Sequence, residues 1–147
     1  MLDKVKISID VMGGDNSPYK TLEGLNLFAK RNQNINDYIF YLFGDETIIN
    51  QKLSNFKYLE NNYKIFDTKI VVSNELSAIS SIKKGKNSSM WKAIQSQIDL
   101  SADVTLSAGN TGVLLVMSKM ILKTLENVDK PALAGLWPNE NNMNIVL

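Results

Sequence analysis

Three groups of residues in this chain combine types and spacings that could do chemistry, and all three point toward an anionic ligand. The first is Thr105-Leu106-Ser107-Ala108-Gly109-Asn110-Thr111-Gly112, a short strand pattern running through two glycines into an apolar helical run. Gly109 and Gly112 let the backbone approach a ligand closely. Asn110 and Thr111 are good N-cap types for the run that follows. A helix that starts this way presents unpaired backbone N–H groups and the positive end of its dipole, an arrangement suited to phosphate. A plain strand–turn–helix connection would use the same residues, and the spacing fits neither the dinucleotide fingerprint nor the P-loop.

The second group is Asp10-Val11-Met12-Gly13-Gly14-Asp15, two carboxylates flanking a glycine turn at the carboxyl end of a strand pattern. Open α/β sheets place ligands there. The pair could hold a hard cation, but a turn-capping role for Asp15 fits better. The third group is Lys83-Lys84-Gly85-Lys86-Asn87-Ser88-Ser89, where lysines and two hydroxyls precede a helix start. Such a segment suits an anion or an acidic partner surface, and equally a solvated charged loop.

The composition removes much other chemistry. The chain has no His and no Cys, which excludes a Ser-His-Asp triad, a cysteine nucleophile, a thiolate zinc site and a disulfide framework. Ser107 has no nucleophile-elbow context; with Asn110 and Thr111 it reads as a hydrogen-bond donor. A formal net charge of +1 gives no reason to expect nucleic acid. Fifteen of the 16 basic residues are Lys, Arg31 being the exception. No signal peptide is visible, and the most apolar run, Val113 to Leu122, is interrupted by Lys119 and too short to span a bilayer. The chain reads as soluble, and its lack of Cys suits the cytosol.

These groups need a frame to hold them. At 147 residues and 44% hydrophobic the chain suits one domain with a core. Val5, Ile7 and Ile9 alternate with polar residues as a first strand. Ser17-Pro18 reads as a helix start with Ser as N-cap, followed by Leu22, Leu25, Phe28 and Ala29 on one face. Tyr38 to Phe43 reads as a strand, and Asp45 as the cap of a helix carrying Ile48, Ile49 and Leu53. A third strand is expected over Ile65 to Val72. Beyond it the sequence is poorly periodic except for Ile79 and Ile82. A helix from Ser88 follows, with Met90, Ala93, Ile94, Gln97 and Ile98 on its face. Trp91 lies off that face, either as an exposed contact or packed under a neighbouring loop. Val104 to Leu106 is a further strand, and the helix after Gly112 is expected to reach Leu125. Strands are then expected over Ala132 to Trp137 and Met143 to Leu147. Strands alternating with helices predict an α/β fold, a mostly parallel Rossmann-like sheet with flanking helices. The sequence stops inside a strand pattern, so residues 1–147 are expected to be an N-terminal α/β segment truncated at its C-terminus.

Taken together and in this order, Asp10-Val-Met-Gly-Gly-Asp15, Gly85-Lys-Asn-Ser-Ser-Met90 and Ser107-Ala-Gly-Asn-Thr-Gly112 resemble the PlsX family of bacterial phosphate acyltransferases, over that family's N-terminal portion. The resemblance implies a fold like that of phosphotransacetylases and isopropylmalate dehydrogenases, and a homodimer. It implies reversible transfer of a fatty acyl group from acyl carrier protein to inorganic phosphate, with no cofactor or metal. The acyl phosphate would feed phospholipid synthesis through a membrane glycerol-3-phosphate acyltransferase, so the location would be cytoplasmic, with any membrane association made through that partner.

Such a reaction suits the residue inventory, since phosphate is itself the nucleophile and no acyl-enzyme is required. The protein must position phosphate and stabilise an oxyanion. On that implication, N–H groups of Gly109, Thr111 and Gly112 bind phosphate, with side-chain hydrogen bonds from Ser107 and Asn110. Lys84 and Lys92 neutralise phosphate or attract the acidic carrier protein. Ser88 and Ser89 add hydroxyls, while Asp10 and Asp15 shape the Gly13-Gly14 loop. Family members carry Arg and Asp near the third segment, where this chain has Lys83, Lys84 and Lys86; Lys lacks the bidentate fork that Arg offers phosphate. The alternative is a non-catalytic split or truncated fragment that folds or pairs with a complementary chain. A nucleotide-binding module is a third reading, without support from either nucleotide-binding spacing.

Overall fold

Alternation along the second strand pattern decides how the layers form. In the computed structural model, which describes residues 3–59, 62–72, 85–140 and 142–146, Phe40 and Leu42 are buried on one face of the sheet and Tyr41 and Phe43 on the other. A strand buried on both faces needs helices on both sides. Four strands, β1 (Val5–Asp10), β2 (Tyr38–Gly44), β3 (Tyr63–Asp67) and β4 (Val104–Ser107), form a parallel sheet in the order β3-β2-β1-β4.

Helices α1 (Tyr19–Arg31) and α2 (Glu46–Leu53) cover one face. Leu22, Leu25 and Ala29 of α1 and Ile49 and Leu53 of α2 pack with Ile9, Phe40 and Leu42. Burial of each Leu, Ile or Phe here contributes about 1.5–3 kcal/mol. Phe28 sits at the margin of this layer, edge-on to Tyr38 and Phe40. Asp45 caps α2 as expected, accepting from the Thr47 and Ile48 amides at 3.0 and 3.2 Å.

Helix α3 (Ser89–Asp99) covers the opposite face of β1, β2 and β4, and α4 (Thr111–Leu122) packs on α3 through Met90, Ile94, Val113, Met117 and Ile121. Trp91 is half-buried against this helix pair rather than an exposed contact. Among the described residues no helix is long and apolar enough to cross a membrane.

Several expectations shift. Ser17 does not cap α1; Pro18 occupies the N-cap position, and the Ser17 hydroxyl instead donates to the Met12 carbonyl at 2.7 Å, tying the glycine loop to the helix start. The third strand is Tyr63–Asp67, because its pairing with β2 ends where Gly44 turns into α2. Helix α4 stops at Leu122, with Lys123 at φ 65°. The last two strands, β5 (Gly135–Pro138) and β6 (Met143–Val146), do not extend the parallel sheet. They pair with each other as an antiparallel hairpin. Lys83, Lys84, Ile79 and Ile82 lie outside the described residues.

Candidate functional site

The strand order places a reversal beside β1. The chain runs outward from β1 through β2 to β3, then returns so that β4 lies on the other flank of β1. Loops leaving the carboxyl ends of β1 and β4 therefore diverge to opposite sides of the sheet and leave a crevice between them, the usual ligand position in open α/β sheets. Two of the three motif groups lie there. Gly14, Asp15, Ala108, Gly109, Asn110, Thr111 and Gly112 line one polar cleft of about 400 Å³.

The two glycine turns touch. A Cβ on Gly13 would stand 2.9 Å from the Gly109 amide nitrogen and 2.9 Å from Ser107 Oγ, and would collide with Asp10 Oδ2. Gly14 has φ 91°, and a Cβ there would stand 2.7 Å from the Ala108 carbonyl oxygen. Only glycine allows the β1 loop to lie this close to the β4 loop. Gly109 is held from below by Met90, whose Cε would lie 2.7 Å from an added Cβ. Gly112 is different, since its nearest contact would be Asn110 Oδ1 at an ordinary 3.4 Å.

Side chains around the cleft act mainly to fix the backbone. Asn110 is the N-cap of α4, its Oδ1 accepting from the Val113 amide at 3.1 Å, while the Leu114 amide donates to the Asn110 carbonyl at 2.9 Å. Thr111 and Gly112, whose amides precede the first intrahelical bonds, line the cleft at the positive end of the helix dipole. The Ser107 hydroxyl donates to Asp10 Oδ2 at 2.7 Å and accepts from the Gly109 amide at 3.1 Å.

Asp10, not Asp15, is the carboxylate that organises the first loop. It is buried beneath Gly13, beside Ser107 and Ser89, and Asp15 is exposed at the cleft rim. Burial pushes the Asp10 carboxyl above the ordinary carboxylate range, and the nearby Ser89 and Ser107 hydroxyls and the Met12 and Gly13 amides only partly offset it. Its Oδ1 is buried without a hydrogen bond of ordinary geometry, which is consistent with burial outweighing the neighbours.

The third motif contributes differently from the first two. Ser88 is buried and caps α3, accepting from the Trp91 amide at 3.2 Å. Ser89 is buried against Asp10. Lys92 donates to the Asp67 carbonyl at 3.0 Å and lines a separate cavity with Phe66, Trp91 and Gln95. Lys84 lies outside the described residues, and Lys86 is exposed.

Sequence reasoning missed Ala108 and Met90, which set the spacing of the two turns, and it missed that the polar face of β1 is buried. Ser8 and Asp10, which alternate with Ile7 and Ile9 along β1, are both buried under α3, where the Ser8 and Ser96 hydroxyls bond. A usable signal was present: Ser89, Ala93 and Ser96 make a small-residue face on α3 that allows it to lie close to β1.

The profile of a family described as "Fatty acid synthesis protein" matches residues 5–147. A phosphate acyltransferase of Pelagibacter ubique is 46% identical over 143 residues, covering 97% of this chain and 41% of the relative. A phosphate acyltransferase of Rhodopseudomonas palustris is 37% identical over 148 residues, covering 100% of this chain and 41% of the relative. One from Mesorhizobium japonicum is 36% identical over 144 residues. The chain thus spans about two-fifths of the length of these curated relatives.

Proposed function

Because this chain belongs to the fatty acid synthesis protein family, we propose that its glycine cleft holds inorganic phosphate for acyl transfer, giving an acyl phosphate for phospholipid synthesis. One observation carries the reading: the glycine turns of the two strands flanking the reversal meet, and line one polar cleft with the first amides of α4. The relatives' name, phosphate acyltransferase, supports the same chemistry.

In the proposed reaction a phosphate oxygen attacks the carbonyl carbon of an acyl thioester carried by acyl carrier protein. The resulting oxyanion is stabilised by backbone N–H groups, then the C–S bond breaks and the thiolate leaves and takes up a proton. Thr111 and Gly112 amides supply the oxyanion or phosphate contacts. Gly13, Gly14, Gly109 and Ala108 set the cleft's width. Asp10, Ser107, Ser89 and Asn110 hold the loops, and Lys84 and Lys92 neutralise phosphate or attract the acidic carrier. We further propose a homodimer in the cytoplasm, with product passed to a membrane glycerol-3-phosphate acyltransferase.

A second reading is favoured by one observation. Leu136, Trp137 and Ile145 on the hairpin are 66%, 69% and 68% exposed, an apolar surface that suits a segment acting only when joined to a complementary polypeptide. Three measurements separate the readings. Phosphate binding to the chain alone, and formation of acyl phosphate from acyl carrier protein thioester by it, are expected under the first reading; failure to bind phosphate at millimolar concentration would overturn that reading, and binding to a complementary polypeptide is expected only under the second.

A further inference from the structure

Both glycine turns rest on the first two residues of α3. Three groups converge where a Gly109 side chain would be: Met90 Cε at 2.7 Å, Ser107 Oγ at 3.3 Å and Gly13 Cα at 3.5 Å from an added Cβ. The tip of Met90 thus fills the corner in which the two turns meet. Gly13 in turn lies over Asp10, which is buried beside Ser89. Met90 is 2% exposed and packs in one cluster with Ile94, Val113, Met117 and Ile121, so it also supports the first turn of α4. It stands behind the lining of the cleft and is not part of it.

The start of α3 is anchored, so this support is held in place. The Ser89 amide donates to the Ile70 carbonyl at 3.0 Å, the Thr68 hydroxyl to the Asn87 carbonyl at 2.8 Å, and the Lys92 ammonium to the Asp67 carbonyl at 3.0 Å. In a close-packed interior, a change of one methyl group is passed on to its neighbours. Resting on the phosphate-transfer reading above, we propose that Met90 is a positioning residue that sets the size of tetrahedral oxyanion the cleft accepts. Its thioether tip holds the Gly109 turn against the Gly13 turn, which fixes the span between Gly14 and the start of α4. A shorter side chain at position 90 lets the Gly109 turn settle toward α3, and the cleft widens. A methyl group on Gly109 pushes the turn away from Met90, and the cleft narrows.

Sulfate and molybdate test this, because both are tetrahedral dianions at neutral pH and molybdate is the larger. Titrated by calorimetry onto the purified chain, sulfate is expected to bind more tightly than molybdate. Met90→Ala is expected to shift the ratio of the two affinities toward molybdate by about tenfold, the discrimination a site draws from one methylene of space. Met90→Leu keeps the core filled but reaches less far. It should shift the ratio the same way by less, which preserves the test should the alanine variant fold poorly. Gly109→Ala should disfavour molybdate further. Combining it with Met90→Ala should return the ratio toward the native value, because the new methyl occupies the space the thioether left. A loss of stability alone lowers both affinities together and leaves their ratio where it was. An unchanged ratio in both Met90 variants therefore overturns the proposal and leaves the phosphate cleft standing. A native chain that binds neither anion overturns the cleft reading and this proposal with it.

Discussion

Ser107 and Asp10 are register partners on adjacent parallel strands, and the Ser107 hydroxyl donates to Asp10 Oδ2 at 2.7 Å while accepting from the Gly109 amide at 3.1 Å. One hydroxyl therefore ties the end of β1 to the turn after β4. With both its donor and an acceptor position engaged, Ser107 serves as a positioning residue rather than a ligand donor.

Ser107→Ala removes this tie and leaves a half-buried amide and a buried carboxyl without their partner. Loss of about 1–3 kcal/mol is expected, which for a chain of this size lowers Tm by roughly 3–9 °C. Thermal melting checks it, and Ser107→Thr, which retains the hydroxyl, should recover most of the loss.

The glycines of the cleft should respond unequally. Gly13→Ala forces the two turns apart and should cost about 1–3 kcal/mol, with phosphate affinity falling at least tenfold in a calorimetric titration. Gly112→Ala meets only an ordinary contact at 3.4 Å and gains helix propensity, so its Tm should hold or rise.

Asn110→Ala removes the cap of α4, at a cost of about 1 kcal/mol. Its first amides should fray and phosphate affinity should fall with it. Asn110→Ser preserves an N-cap oxygen and should restore both, whereas failure to restore binding at a restored Tm would show direct contact between Asn110 and phosphate.

Asp10 gives the pH dependence. Its carboxyl is raised in the folded state, so the folded chain holds a proton that the unfolded chain has already released. Stability should then decline as pH rises from the ordinary carboxylate value toward the raised one. Asp10→Asn should flatten that decline. The same ionisation places a negative charge beneath Gly13, so sulfate, whose own charge is constant over this range, should bind more weakly as pH rises in the native chain and not in Asp10→Asn. Melting curves and sulfate titrations between pH 4 and 7 check both.

The layers were largely legible because their signals are local. Alternation marked β1 and β2, Asp45 marked the start of α2, and Asn110 marked the start of α4. Ser17 misled because its hydroxyl is satisfied by the Met12 carbonyl, five residues back, a partner that only the folded loop supplies. The final strands misled because alternation identifies a strand and not its neighbour; β5 and β6 pair with one another. In the site, the two glycine turns were visible as motifs and their contact was not. Ser88 and Ser89 share a motif and Lys92 follows it by one turn, yet their side chains turn to a helix cap, to Asp10 and to the Asp67 carbonyl.

The sequence by itself determined the residue chemistry: no imidazole, no thiol, two glycine turns at strand ends and a helix start behind one of them. These follow from residue types and short-range spacing, which need no knowledge of distant contacts. Only the tertiary structure decided that β4 returns to the far side of β1, which brings Gly13 against Gly109 across nearly 100 residues and buries Asp10 between them. Strand order is set by which buried faces must be covered together, a property of the whole core that no single segment carries.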